Sequence, residues 1–140
     1  TPAPLLAVAL SRHGAIGVDV EGPRAIDMPP RWTAILADIG DGDPRAGWTR
    51  VEALGKARGH GVGAVLQPLR GPAESNTSPR ASAIFEEMKR AAALELATVS
   101  KRDELTLSVA FPAGGPVPRC AIIGACEIDQ WRARLDPAGN

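Results

Sequence analysis

The stretch IGVDVE, residues 16–21, alternates apolar and polar side chains in the way that is typical of a half-buried β-strand. Side chains of a strand point to its two faces in turn, so Asp19 and Glu21 share one face. With a rise of about 3.3 Å per residue, their Cα atoms lie about 7 Å apart. Two interpretations are open: the carboxylates face water, as on any half-buried strand, or a divalent cation lies between them.

The composition fits one domain with an aliphatic core. The chain has 140 residues, of which 44% are hydrophobic, but only three Trp and two Phe are aromatic. Sixteen basic residues balance sixteen acidic ones, so we expect neither nucleic acid nor an anionic membrane surface as a partner. The sequence has no apolar run near the roughly 20 residues of a membrane span and no signal-peptide pattern.

The two cysteines do not indicate a disulfide scaffold. Cys120 and Cys126 are too few for such a scaffold and lack the spacing of a metal site. Buried thiols in a reducing cytosol are the expected state, which predicts a cytoplasmic protein.

The pattern along the chain predicts an α+β domain over residues 1–140, with an antiparallel sheet packed against two helices. The predicted strands occupy residues 5–11 and 15–21, joined as a hairpin at Gly14, and residues 104–111 and 119–128. The predicted helices occupy residues 48–58, with Thr49 as N-cap, and residues 82–97. Residues 25–47, rich in Pro, Gly and Asp, are expected to contain at most a short helix.

The first predicted helix carries a second pair of charged residues. Glu52 and Lys56 are four positions apart and therefore share a face. Two structural interpretations are open, because Thr49 and Glu52 fit a capping box and Glu52 and Lys56 fit a surface ion pair worth about 0.3–0.5 kcal/mol. Trp48, at the start of the same helix, is expected in the core.

The two stretches taken together resemble the signature of the phosphopantetheinyl transferase superfamily. The chain has D-x-E at 19–21 and then W-x-x-x-E-x-x-x-K-x-x-G-x-G at 48–61. The pattern of the surfactin-type enzymes is roughly G-[IV]-D-[IV]-E followed by W-x-x-K-E-[AS]-x-x-K-x-x-G-x-G. The stretch VSKRDELTLSVAF, at 99–111, is similar to the last strand of the smaller holo-acyl-carrier-protein synthases, without their histidine.

This resemblance implies a Mg²⁺-dependent enzyme that moves the phosphopantetheine arm of coenzyme A to a serine of an acyl or peptidyl carrier protein. Asp19, Glu21 and Glu52 would be the metal ligands, and carboxylates are the hard oxygen donors that Mg²⁺ prefers. Lys56 would contact the coenzyme phosphates and stabilise the leaving group as its negative charge grows. Glu52 would also help to deprotonate the attacking serine, directly or through a water.

Two glycines after the helix belong to the same pattern. Gly59 and Gly61 would let the backbone approach a coenzyme phosphate, whereas a helix C-cap explains Gly59 equally well. His60, between them, is interpreted as a solvated loop residue.

The sequence also departs from the family pattern. Val51 stands where the family usually has lysine, immediately before the helix glutamate. Either a phosphate contact is lost, or the residue is apolar because the helix packs differently. Gly55 lies inside the predicted helix, at a cost of about 1 kcal/mol relative to alanine.

Surfactin-type enzymes contain two similar halves, and this chain resembles one of them. TPAPLLAVALS, at 1–11, is similar to a family stretch that begins at the end of a Ser-His-Ser/Thr motif. Thr1 corresponds to the last residue of that motif. We therefore expect an upstream half to be missing, and the chain to form a homo-oligomer or to pair with a chain that carries that half. Residues 5–11 and 105–111 are both expected at open sheet edges. The alternative function is a catalytically impaired homologue that acts as a binding or assembly module.

Overall fold

The structure is a computed structural model, and it describes residues 6–24, 26–71, 80–101 and 105–119. Within these residues the chain forms three strands and four helices. In chain order they are β1 (Gly17–Glu21), α1 (Pro30–Ile39), α2 (Pro44–Arg58), α3 (Gly61–Leu69), α4 (Ala81–Ala91), β2 (Leu94–Lys101) and β3 (Leu105–Pro112).

The three strands form one antiparallel sheet in the order β1-β3-β2. Asp19 of β1 and Thr98 of β2 both pair with Ser108 of the central strand, so all three side chains lie on one face. The prediction of an α+β domain with an antiparallel sheet is confirmed. The predicted number of helices was too low, since the described residues contain four.

Helix α2 is the central element of the helical layer and lies directly on the sheet. A Cβ atom built on Gly17 of β1 would come within 2.0 Å of the carbonyl oxygen of Ala53, so the strand and the helix touch through their backbones. The core cluster formed by the helices and the start of β2 contains Leu36, Ile39, Val51, Leu54, Val65, Leu69, Phe85 and Leu94. Burial of these aliphatic and aromatic side chains holds α2 in place over the sheet.

Helix α2 begins earlier than the sequence pattern predicts. Asp43 is its N-cap and accepts a hydrogen bond from the backbone N–H of Arg45 at 2.9 Å, with Pro44 in the first helical position. Thr49 lies inside the helix and is fully buried, so its predicted role as N-cap, and the capping box with Glu52, are wrong. Asp43 and Pro44 lie in a stretch rich in Gly and Asp, which is typical of a loop, so the sequence pattern did not reveal that a helix begins there.

The predicted helix at 82–97 is too long. Helix α4 ends at Ala91, Ala93 turns the chain with φ of 52°, and Leu94–Lys101 then pairs with β3 along its whole length. Pairing with a central strand satisfies the backbone hydrogen bonds of LELATVSK, and this tertiary gain outweighs its helical propensity. Helix α3 was not predicted, because Gly61, Gly63 and Pro68 are poor helix formers.

The predicted hairpin at the start of the chain is not formed. Residues 6–11 are not a strand, although β1 lies within the predicted second arm. Residues 105–111 belong to the central strand, so their predicted edge position is wrong. The predicted strand at 119–128 lies, apart from Arg119, outside the described residues, as do Cys120 and Cys126.

No helix among the described residues is long and apolar enough to cross a membrane. The cytoplasmic location inferred from the cysteines and from the absence of a signal-peptide pattern stays a prediction.

Candidate functional site

The two charged stretches of the sequence meet where α2 crosses β1. The ammonium group of Lys56 lies 2.7 Å from Oδ1 of Asp19 and 3.6 Å from Oε2 of Glu52. The close approach at Gly17, two residues before Asp19, is what brings the helix near enough for this contact. Asp19 is more than 30 positions from Glu52 and Lys56 in sequence, and the three side chains thus form one charged cluster.

Asp19 is the most enclosed member of this cluster. Its side chain is 11% exposed, compared with 21% for Glu52 and 48% for Lys56. The second carboxylate oxygen, Oδ2, is buried and has no hydrogen-bond partner within the described residues. A buried carboxylate oxygen without a donor is costly, because it has lost water and gained nothing in exchange.

Glu21 is held apart from the other two carboxylates. The indole N–H of Trp48 donates a hydrogen bond to Oε1 of Glu21 at 3.2 Å. Burial and then the negative charge of Asp19 raise the pKa of Glu21, against the opposing effect of the Trp48 hydrogen bond. Glu21 therefore lies in the electrostatic field of the cluster without contacting Lys56.

The pKa of Lys56 is also shifted upward. Partial burial alone would lower this pKa, but the hydrogen bond from Lys56 to Asp19 and the charges of Asp19 and Glu52 together outweigh burial. The ammonium form is thus stabilised by its two acidic neighbours, and Lys56 is positively charged at neutral pH.

Trp48 has a role that the sequence did not reveal, because the prediction was a purely apolar core residue. It is half-buried and packs against the core cluster, while its indole N–H reaches Glu21. Trp48, Glu52 and Lys56 follow one another at intervals of four residues, which places them along one face of α2. That spacing was a usable signal for a shared site.

A row of hydroxyl groups lies beside the charged cluster, between α2 and the sheet. Thr49 Oγ1 is 2.8 Å from Ser108 Oγ, which is 3.0 Å from Thr98 Oγ1, and Thr98 accepts a hydrogen bond from Arg50 Nε at 3.1 Å. These bonds satisfy polar groups under the helix and fix its position relative to Asp19, the cross-strand neighbour of Ser108. The alternation of Thr98 with Ser100, and of Thr106 with Ser108, was the available sequence signal.

Val51 is fully buried in the core cluster. Of the two explanations for this departure from the family pattern, the structure agrees with the second: the position is apolar because this face of α2 packs into the core. Gly55 is explained in the same way, since a Cβ atom there would come within 2.9 Å of the backbone of Gly61.

The two glycines after α2 shape the connection to α3. Gly59 ends α2 in the left-handed conformation, with φ of 71°, and its N–H bonds to the carbonyl of Lys56 at 3.1 Å, so its C-cap role is confirmed. Gly61 also has a positive φ, of 73°, and opens α3. Gly59, Gly61 and His60 are exposed, and the predicted coenzyme contacts of the two glycines stay a prediction.

The predicted metal ligands are suited to Mg²⁺ in chemistry more than in their present arrangement. Among the described residues, no three His, Cys, Asp or Glu side chains are grouped closely enough to hold a metal ion. Asp19 and Glu52 contact Lys56, whereas Glu21 bonds to Trp48. The carboxylate oxygens are the donors that Mg²⁺ prefers, and Asp19 and Glu52 already converge on one cation, the ammonium group of Lys56, so these two residues fit the ion if Lys56 moves aside.

Comparisons of the chain with models of known protein families, with curated proteins and with solved structures find no match. The resemblance to the transferases therefore rests on the residues of the two motifs.

Proposed function

We propose that this chain is a Mg²⁺-dependent phosphopantetheinyl transferase, or a subunit of one, that acts on an acyl or peptidyl carrier protein. The observation that carries the proposal is the contact of Asp19 with Lys56 beside Glu52. The D-x-E and E-x-x-x-K stretches match the family pattern independently in sequence, and three of their four charged side chains, Asp19, Glu52 and Lys56, meet at one point in the fold. A chance match of two short motifs gives no reason for that meeting.

In the proposed reaction, the serine hydroxyl of the carrier attacks the phosphorus that bears the pantetheine arm. The new serine Oγ–P bond replaces the P–O bond of the pyrophosphate bridge, and adenosine bisphosphate leaves. Glu52 accepts the serine proton, directly or through a water. Mg²⁺, held by Asp19, Glu52 and Glu21, would neutralise the pyrophosphate charge.

Lys56 is the cation that this chain itself offers to the leaving group. Its side chain is 48% exposed and stands on the last turn of α2, with Gly59 and Gly61 following. An ammonium group there adds a positive charge where the leaving phosphate gains a negative one. Gly59 and Gly61 leave the nearby backbone open, since nothing lies within 4 Å of a Cβ atom built on either.

A second candidate function is a catalytically impaired homologue that serves as a binding or assembly module. Val51 favours it, because an uncharged valine, here fully buried, cannot supply the additional cation that the family has at this position. The contact of Lys56 with Asp19 favours it as well if that contact is permanent. Both candidates share the fold and differ in whether the cluster can be loaded with metal and coenzyme.

The proposal includes a protein partner besides the carrier: a second copy of the chain, or a chain that carries the other half of the family fold. Leu6, Val8 and Leu10 support it, because these large apolar side chains are 85%, 75% and 92% exposed. Apolar side chains exposed in series are typical of a surface that another chain covers.

Mass spectrometry of a carrier protein tests the function. Incubation of the chain with coenzyme A, MgCl2 and an apo carrier should increase the carrier mass by one phosphopantetheine arm, and Asp19→Asn should abolish this gain. Asp27→Asn is the control, since Asp27 is exposed and makes no hydrogen bond or ion pair within the described residues. A folded wild-type chain that modifies none of several apo carriers would favour the assembly module instead.

A further inference from the structure

Lys56 occupies the place at which a cation would contact both Asp19 and Glu52. Its Nζ atom is 2.7 Å from Asp19 Oδ1 and 3.6 Å from Glu52 Oε2. We propose that Lys56 is an internal counter-ion, which a divalent cation must displace from Asp19 before the metal site can form. This inference rests on the proposed function, because it concerns the Mg²⁺ site of that function.

The burial of Asp19 makes displacement necessary. Its Oδ2 atom is buried, so an ion arriving from solvent can reach the carboxylate only on the side of Oδ1. That side is taken by Lys56. Mg²⁺ binds oxygen at about 2.0–2.1 Å, so the ion and an ammonium group in hydrogen-bond contact cannot share this position.

The ammonium group of Lys56 can leave Asp19 at little cost in free energy. Almost half of its side chain is exposed, and a lysine has a flexible four-carbon stem that can carry the ammonium group into solvent. Asp19 and Glu52, by contrast, are mostly buried and stay with the sheet and the helix. Exchange of the two cations therefore requires movement of one side chain and no change in the fold.

The exchange also couples metal binding to phosphate binding. A phosphate group that attracts Lys56 removes the counter-ion from Asp19 and opens the site to Mg²⁺. By linkage, Mg²⁺ on Asp19 releases Lys56 to bind the phosphate. The same lysine thus pairs with the carboxylates when no ligand is bound and contacts the coenzyme phosphate when Mg²⁺ and coenzyme are bound.

Calorimetric titration of the full chain with MgCl2 alone tests the exchange. Lys56→Met removes the competing ammonium group and should tighten Mg²⁺ binding about three- to tenfold relative to wild type. Arg58→Met is the matched control, because it removes the same charge from the same helical turn and Arg58 makes no ion pair within the described residues. This control should change the affinity by less than about twofold, as expected for a screened charge.

Thermal unfolding gives a second readout that does not depend on activity. Without Mg²⁺, Lys56→Met should unfold at a lower temperature than wild type, because Asp19 and Glu52 lose their counter-ion. Saturating MgCl2 should raise its unfolding temperature more than that of wild type or of Arg58→Met.

The outcomes separate this inference from the proposed function. Equal Mg²⁺ affinities in wild type and Lys56→Met would overturn the exchange while leaving the metal site in place. Equal tightening by Lys56→Met and Arg58→Met would also overturn it, since general electrostatics would then be the cause. Absence of Mg²⁺ binding from every variant would overturn the metal site, and the exchange with it.

Discussion

At the scale of single residues, the absence of a side chain at position 17 controls the geometry of the site. The backbone of β1 touches the backbone of α2 at Gly17, two residues from Asp19. Only the resemblance indicated that the strand pair and the helix pair belong to one site. The shared face within each pair, of Asp19 with Glu21 and of Glu52 with Lys56, was predictable, because charged residues at intervals of two in a strand and four in a helix lie on one face. The bond from Trp48 to Glu21 was not, because it depends on how closely the strand and the helix approach.

Gly17→Ala should destabilise the fold by at least about 2 kcal/mol, because the added Cβ atom would collide with the backbone of Ala53 and Ala57, at 2.0 and 2.5 Å. Gly63→Ala is the control, since nothing lies within 4 Å of the corresponding Cβ atom, and it should be neutral or stabilising by up to about 1 kcal/mol. Urea unfolding of both variants measures the difference. A Gly17→Ala chain as stable as wild type would contradict the close contact.

Glu21→Gln should make the protein more stable than wild type at neutral pH. The pKa of Glu21 is raised in the folded state by burial and by Asp19, so the folded state holds the Glu21 proton to a higher pH than the unfolded chain does. Stability is therefore lost as pH rises from the ordinary glutamate pKa through the raised value. Glutamine keeps an oxygen for Trp48 and carries no charge.

Urea unfolding at a series of pH values measures this gain, which should be below about 1 kcal/mol at pH 7, since Glu21 is partly exposed to solvent. It should disappear at pH values below the ordinary glutamate pKa. Glu87→Gln, at an exposed carboxylate paired with Arg90, should show no gain at pH 7. Parallel pH profiles for wild type and Glu21→Gln would rule out the raised pKa.

At the scale of elements, α2 combines three tasks in one helix. It fills the core through Val51 and Leu54, carries Glu52 and Lys56 next to Asp19 of β1, and touches β1 through its backbone. The sequence predicted its end and its charged face, because Gly59 and the four-residue spacing are local signals. Its start at Asp43 and Pro44 was missed, because aspartate and proline are also common in turns. The strand at 94–101 was missed because its pairing with β3, the next strand along the chain, outweighs its local helical propensity.

Asp43→Ala tests the start of α2 and should lower the free energy of unfolding by about 1 kcal/mol, the usual cost of losing an N-cap side chain. The lost contact is the hydrogen bond from the N–H of Arg45, which has a length of 2.9 Å. Asp27→Ala removes an exposed aspartate and should change stability by less than about 0.5 kcal/mol. Equal stability of the two variants in urea would show that Asp43 is not the cap.

At the scale of the whole molecule, one antiparallel sheet carries the candidate site on the face covered by α2. The α+β class followed from the sequence, because strands and helices alternate in hydrophobic period. The strand order did not follow, since nothing local places residues 105–112 between the other two strands. The exposed apolar residues Leu6, Val8 and Leu10 are the feature of the described residues that most strongly favours assembly with another chain.

Light scattering tests the proposed assembly. The purified chain should have a mass larger than one chain at micromolar concentration, or should co-purify with a partner. A variant with Leu6→Ser, Val8→Ser and Leu10→Ser should lose the association and keep its unfolding temperature, because the three side chains are mostly exposed. A stable wild-type monomer without a partner would contradict the assembly proposal.

Calorimetric titration of the chain with coenzyme A in the presence and absence of MgCl2 tests most directly whether the two motifs form one metal and coenzyme site. Mg²⁺ should tighten coenzyme binding to the wild-type chain, and Asp19→Asn should weaken the Mg²⁺-dependent binding at least about tenfold, because the most enclosed carboxylate of the cluster is lost. Asp27→Asn should bind as wild type does. Equal affinity of wild type and Asp19→Asn for coenzyme A with Mg²⁺, in chains shown to be folded, would contradict the site.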